Sequence, residues 1–570
     1  MFILAAATCA PSLLAQVTPE QRLQDFQLLV NLYSRRYAPA EWKNQALRFD
    51  LSNTTRWLER VRRAKDDIEY HEIALEYVAM LEDTHSSYTA PGSASASLGF
   101  SVDIYDGKVL IESVDRSRLP VADYPFAMGD ELVSVDGRTA EEWIEHLARF
   151  RRFGNPRTTR RMAADRITFR SQSTYPRIRE LGDTASVIIR RASGELGTYT
   201  LEWKKSNIPY SGSPSLPKSP TRQSRAEQGY MDVLQGMWNW STPTTDTVFQ
   251  GETVDEDGNF VPRRYVLGYG AKQPTFTLPP DFVMRLGKTP ADFHVSGTYE
   301  ADGLRIGYLR LPTFSPPNLA SAIQELDKEI QYLNENTDGL VLDISRNTGG
   351  GCYMLDVARR LMRDEFWFFG EEIRPTWDRI QILQAGLESA RQQKAEDWVI
   401  TMLSHNVDKL LASYQSGSHR TEALPSCYFQ GMAPAWMNKP VQNPYSKPLI
   451  VLVDEFSTSA GDIFAAMMQD NNRGPLVGMR TNGAGGAVSH PLLAGPLTEA
   501  MVSNTNTLVV RKDYVANAPD LPVNRYIENT GVRPEIVIER MTRENLMNGG
   551  KPFVDAFTRA MIDHIRSSAN

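Results

Sequence analysis

The sequence predicts a multidomain α+β protein that runs from a helical N-terminal region through a β-rich domain to an α/β core. Three observations carry that prediction. The chain has 570 residues, several times the roughly 100–200 residues of a single domain. Its apolar residues recur at helical spacing near the N-terminus and at strand spacing from Leu98 onward. Two continuous apolar runs, Gly339–Ile344 (GLVLDI) and Leu449–Val453 (LIVLV), read as buried strands of the parallel type.

Composition narrows the function classes. Apolar content of 41% and charged content of 23% are ordinary for a globular protein with sizeable cores. A net charge of -7 offers no basic field to collect phosphates, so no nucleic-acid partner is expected and a peptide or small-molecule substrate fits better. Residues 1–15 (MFILAAATCAPSLLA) carry no charge and are mostly apolar. They read as the apolar region and cleavage end of a secretory signal peptide, although the basic start of such a signal is missing. The expected location is therefore extracytoplasmic, either periplasmic or secreted. No other stretch approaches the ~18 apolar residues of a membrane span, so none is expected in the mature chain. Removing Cys9 with the signal would leave Cys352 and Cys427. These either pair in an oxidising compartment or stay apart, and the expectation is two free buried thiols. No Cys/His cluster has zinc spacing, so neither a metal nor another cofactor is expected. Nothing in the sequence sets the oligomeric state.

Taken in order, residues 16–91 are predicted to be helical. Gln21–Tyr33 and Glu69–Leu81 carry apolar residues at intervals of three and four, and the second run breaks at Glu82-Asp83-Thr84-His85-Ser86-Ser87-Tyr88. Residues 92–204 are predicted to be a β domain with a basic helical insertion. Its strands are Val102–Ile104, Lys108–Val114 after a turn at Asp106-Gly107, the GDELVSVDG stretch, Ala185–Arg191 and Tyr199–Trp203. This order resembles a PDZ domain, which binds a peptide C-terminus by strand addition. The resemblance implies that backbone N–H groups of Leu98, Gly99, Phe100 and Ser101 receive the terminal carboxylate. Residues 205–295 are rich in Ser, Pro, Thr and Gln and read as a linker with a short helix near Tyr230–Trp238. Residues 296–545 read as the α/β core. It opens with a strand at Leu304–Leu311 and a helix whose inner face is Leu319, Ile323, Leu326, Ile330 and Leu333. Residues 371–420 are predicted to be a helical insertion, and residues 546–570 a C-terminal helix.

The chemistry concentrates after the two apolar runs. In LIVLVDEFSTSAGDIFAAMMQD a strand ends at Val453 and a helix begins near Ala460, so Ser459 lies where strand gives way to helix. That turn exposes a hydroxyl beside unpaired helical N–H groups, although a serine there can equally well be a plain helix cap. The other run leads into Asp343-Ile344-Ser345-Arg346-Asn347-Thr348-Gly349-Gly350-Gly351. Glycines after a parallel strand let N–H groups point into a shared cleft, as an oxyanion hole requires, whereas a simple turn needs fewer.

DISRNTGGG and STSAGDIF, preceded by a PDZ-like domain, resemble the S41 peptidases, the family of tail-specific C-terminal processing proteases. The resemblance implies a catalytic core of the ClpP/crotonase-like type with Ser459 as nucleophile. It places the oxyanion donors at Ala460 and in the Gly350-Gly351 pair. The processing proteases activate serine with a lysine in a T-F-G-K-G stretch, but here Thr481-Asn482-Gly483-Ala484-Gly485-Gly486 puts alanine at that position. A Ser–Lys dyad is excluded there. The tricorn-like branch of the family uses Ser, His and Glu. By that analogy His85 is the general base, Glu528 of Glu528-Asn529-Thr530-Gly531-Val532 orients it, and Thr84 hydrogen-bonds that carboxylate. His490, close to the glycine loop, is the rival base. The resulting expectation is a serine peptidase acting on a peptide or protein. Its rival from another class is an inactive chain of the same fold that binds a peptide or a hydrophobic ligand. A scaffold working through the PDZ-like domain alone is a third possibility.

Overall fold

The computed structural model describes residues 17–212, 229–231, 233, 250–251, 264–427, 434–489, 492–515 and 521–568. The expected signal peptide, His490 and most of the Tyr230–Trp238 helix lie outside the described residues.

Four helices open the chain: α1 (Pro19–Arg36), α2 (Ala40–Leu47), α3 (Thr55–Arg63) and α4 (Asp67–Ala79). Local chemistry sets their starts. Thr18 accepts the Gln21 N–H while the Gln21 side chain reaches back to Thr18 N, and Pro19 fills the first helical position. Asp66 caps α4 through the Glu69 N–H. Phe26, Leu29, Tyr33, Ile73 and Tyr77 form the shared core. That core also takes in Ala494, Ala500 and Val502 from far along the chain, because β1 (Ser87–Thr89) pairs antiparallel with Ala500–Ser503. The helical region is thus built into the C-terminal half.

The next unit is an antiparallel sheet in the order β2 (Phe100–Tyr105), β3 (Lys108–Val114), β4 (Glu131–Val135), β5 (Thr184–Arg190) and β6 (Leu196–Glu202). The β2–β3 hairpin turns at Asp106-Gly107, both at positive φ (49° and 76°), as a two-residue turn matching strand twist demands. Between β4 and β5 the expected helical insertion appears as α5 (Ala140–Ala148) and α6 (Pro156–Thr168).

The core is a seven-stranded sheet in the order β7 (Val283–Leu286), β8 (Val295–Ala301), β9 (Leu304–Arg310), β10 (Gly339–Asp343), β11 (Leu449–Val453), β12 (Leu476–Gly478) and β13 (Ile536–Val537). From β9 to β13 the neighbours are parallel, with Asp343 level with Leu452. Strand β7 lies in the stretch expected to be linker, so the core begins before residue 296; β8 holds it in register through an antiparallel ladder. Helices α7 (Leu319–Asn336), α8 (Tyr353–Leu361) and α9 (Ala460–Asp470) help to cover one face. The C-terminal helix α10 (Lys551–Ser568) covers the other with Phe553, Phe557 and Met561. On α7 Leu326, Ile330 and Leu333 are buried as expected and Ile323 packs beside them, while Leu319, the first helical residue after the Asn318 cap, is exposed and Ala322 joins the inner face instead. The insertion folds as two packed helices, Trp377–Gln392 and Asp397–Gln415.

The two cysteines expected to stay apart are joined. Cys352 and Cys427 form a disulfide across 75 residues of sequence. Their spacing gives no hint of this, since the insertion between them folds back on itself.

Candidate active site

Parallel strands deliver their C-terminal ends to one edge, and the loops after β10 and β11 are zipped together there. Asp454 accepts the backbone N–H of Arg346 and of Phe456 through one oxygen. The Ser457 hydroxyl donates to Ile344 O at 2.9 Å, and Thr458 N–H donates to Asn347 O at 3.0 Å. Asp343 is itself fixed by Arg310, Tyr308 and Ser345.

Ser459 sits at the centre of this contact with φ 58° and ψ -118°. A non-glycine residue in that region is strained by about 1–3 kcal/mol and persists only where its surroundings dictate it. Gly349 is part of those surroundings. A Cβ on Gly349 would lie 2.6 Å from Ser459 Cβ, 2.8 Å from Thr458 O and 3.1 Å from Ala460 N. The glycine is therefore required for close approach as well as for its own φ of 84°. The side chain of Asp462, one turn into α9, accepts Ser459 N–H at 2.8 Å. It also accepts Thr481 Oγ1, Gly483 N–H and Ala484 N–H. Burial raises Asp462 to about 6 against these bonds. Asp462 thus pins the 481–484 loop to the Ser459 turn, a role visible in sequence only as an S-x-x-D capping pattern.

Of the expected oxyanion donors, Ala460 follows Ser459 directly and Gly350 follows Gly349, which packs on Ser459. Ala460 is the first residue of α9, whose N–H has no intrahelical acceptor. Gly350, at φ 136°, bridges to Phe314. Gly351 is corrected: its N–H donates to Phe314 O at 3.1 Å, so that donor is used in holding the loop.

His85 comes from the loop after α4. Asp83 builds that loop by accepting the N–H groups of His85 and Ser86, and it is itself held by Tyr37 and Thr505. Arg151, from the α5–α6 connection, donates to the carbonyls of Asp83, Thr84 and Ser86. Thr84 Oγ1 bonds to Asn482, whose backbone N–H donates to Ser457 O, so the His85 loop joins the Ser459 turn through one residue. Thr84 therefore contacts Asn482 and not Glu528, contrary to the family analogy. Burial pushes the imidazole down to about 4 although Asp83 opposes this, so it is neutral at pH 7. Neither His85 ring nitrogen has a hydrogen-bond partner among the described residues.

Glu528 is fully buried, with Gly485 N–H on one oxygen at 2.9 Å and Lys43 Nζ on the other at 2.5 Å. Burial raises it to about 7, the nearby Asp83 adding to the effect and Lys43 opposing it. Lys43 lies on α2, 485 residues away, and no spacing rule would have found it. Ala484, where the family resemblance led one to look for a lysine, is fully buried. Among the described residues no group of three or more His, Cys, Asp or Glu side chains could hold a metal ion.

In the β domain the expected carboxylate loop is partly spent. Leu98 N–H donates to Thr168 O at 3.0 Å, and the guanidinium of Arg118 lies over Gly99 while bonding to Ser97. Phe100 pairs with Val114, and Ser101 Oγ bonds to Ser113. Leu98 is thereby corrected as a free donor, because α6 ends against it.

Comparison with known proteins agrees with the motifs. Residues 305–538 match the model of peptidase family S41, and residues 94–211 match a PDZ domain. A protein of Chlamydia pneumoniae is 24% identical, the match spanning 97% of this chain and 92% of that one. The carboxyl-terminal-processing protease of a Picosynechococcus species is 28% identical over 33% of this chain and 31% of its own. Among solved structures, mature CPAF complexed with lactacystin superposes with a TM-score of 0.73 at 20% identity, covering 96% of this chain and 99% of that one. The strand-to-helix serine, the Gly349–Gly351 loop beside it and the PDZ domain before them agree with these matches: residues 305–538 carry a peptidase family S41 domain, and the chain is a serine-type peptidase.

Proposed function

We propose that the chain hydrolyses peptide bonds through an acyl-enzyme on Ser459, with His85 as general base and Glu528 as the third member of the triad. In this reading Ser459 Oγ attacks the peptide carbonyl carbon and His85 takes the hydroxyl proton. The oxyanion is received by N–H groups of Ala460 and Gly350. His85 then protonates the leaving amine, and a water molecule, deprotonated by His85, hydrolyses the ester. The carrying observation is the strained Ser459 at the mouth of α9, pressed against Gly349. Hydrogen bonds of the resting site commonly tighten only when substrate excludes water, so the open valences on His85 fit a base awaiting its substrate. They also favour a second reading, a ligand carrier on the same fold in which the triad never closes. The PDZ domain is the natural holder of a peptide or protein substrate. The disulfide supports a location outside the cytoplasm; among the described residues no helix is long and apolar enough to cross a membrane.

The test is labelling by a fluorophosphonate probe together with peptide hydrolysis. Ser459→Ala is expected to abolish both and to leave the thermal melt in place. Persistent hydrolysis in that variant refutes the assignment, and a wild-type chain that never labels favours the carrier.

A further inference from the structure

We propose that Lys43 is a positioning residue of the hydrolytic site, its ammonium group holding Glu528 as a carboxylate so that the N-terminal helices complete the active site. The inference rests on the reading of Glu528 as the acidic member of the triad.

The geometry is specific. Lys43 and Glu528 side chains both have zero solvent exposure. An ammonium has three hydrogens, and each finds an oxygen: Glu528 Oε1 at 2.5 Å, Asn529 Oδ1 at 2.6 Å and Glu82 O at 3.2 Å. The preceding residue, Trp42, donates its indole N–H to Glu528 O at 3.0 Å, so α2 grips the glutamate by main chain and side chain together. Asn529 closes the ring by donating to Glu82 O and to Gly483 O. One turn of helix thus ties the glutamate segment, the start of the histidine loop and the glycine loop.

Charge explains why a lysine stands there. The groups meeting in this buried space are Lys43 from α2, Tyr37 after α1, Asp83 and His85 from the loop after α4, Arg151 from the β domain and Glu528. Two cations face two carboxylates around a neutral imidazole. Without Lys43 one cation would face two carboxylates, and protonating Glu528 is the least costly remedy. A protonated Glu528 cannot stabilise the imidazolium that forms when His85 takes the serine proton.

The experiment is the pH dependence of fluorophosphonate labelling of the full chain. In the wild type the rate should rise through an acid limb near pH 7, where Glu528 ionises. Replacing a cation in direct contact moves a carboxyl by roughly 1–3 pH units. Lys43→Met should therefore shift that limb upward by about one unit or more, slow labelling about fivefold or more at pH 7, and recover much of the rate near pH 9. Lys43→Arg, which keeps the charge, should keep the limb closer to its original position. With Glu528 already neutralised, adding Lys43→Met to Glu528→Gln should cost no further rate. If Lys43→Met alone fails to fold, the double variant should fold, because the stranded carboxylate is gone. An unmoved limb, a loss equal at every pH, or a double variant that also fails to fold would each overturn the role of Lys43. A wild-type chain that does not label, or labelling that survives Ser459→Ala, overturns the hydrolytic reading itself.

Discussion

Gly349→Ala tests whether the nucleophile turn depends on close packing of two loops. The glycine makes no direct contribution to oxyanion binding, since its own N–H donates to Asn347 Oδ1 at 2.7 Å. Any effect must pass through what the new methyl displaces. It would meet Ser459 Cβ at 2.6 Å and Thr458 O at 2.8 Å, both below the closest approach that carbon ordinarily makes. The neighbours are backbone or the root of a side chain, so none can swing aside. Holding alanine at φ 84° adds about 1–2 kcal/mol of strain, and overpacking a tight site typically adds about 1–3 kcal/mol. The fold can absorb that sum. The site cannot, because moving Ser459 away by the missing fraction of an ångström to an ångström carries its hydroxyl off the proposed oxyanion donors. Misplacement on that scale costs about 10²-fold in rate. The expected result is a folded protein with a melting temperature lower by several degrees and fluorophosphonate labelling slowed about 10²-fold or more. Labelling within a few-fold of wild type, in a variant that melts normally, would show that the two loops do not constrain each other and would refute the reasoning.

Two further outcomes follow from the same contacts. Arg151→Met removes the donor to three carbonyls of the histidine loop, and labelling should fall by about tenfold or more while circular dichroism stays unchanged; an unaffected rate would mean that Asp83 alone shapes that loop. Cys352→Ser opens a loop closed across 75 residues, which chain-entropy reasoning values at about 4 kcal/mol. The melting temperature should drop on the order of 10 °C, and reductant should then change the variant no further.

Much of this protein is legible in its sequence because the relevant information is local. The spacing of Phe26, Leu29 and Tyr33 marks α1, Thr18 and Gln21 mark its start, and the Asp-Gly pair marks the β2–β3 turn. The two apolar runs became adjacent parallel strands, as continuous burial on both faces predicts. The serine, the glycine loop and the absence of lysine at Ala484 could likewise be read from short motifs.

Tertiary structure alone decided everything that depends on which distant groups share a buried volume. Thr84 was expected beside Glu528 but bonds to Asn482. Gly351 and Leu98 looked like free donors until Phe314 O and Thr168 O took their N–H groups. Cys352 and Cys427 gave no sign of pairing. Lys43 meets Glu528 across 485 residues. Periodicity and capping act within a few residues along the chain, whereas desolvation forces a buried charge or N–H to find whichever partner the packed fold brings within reach, at any separation in sequence.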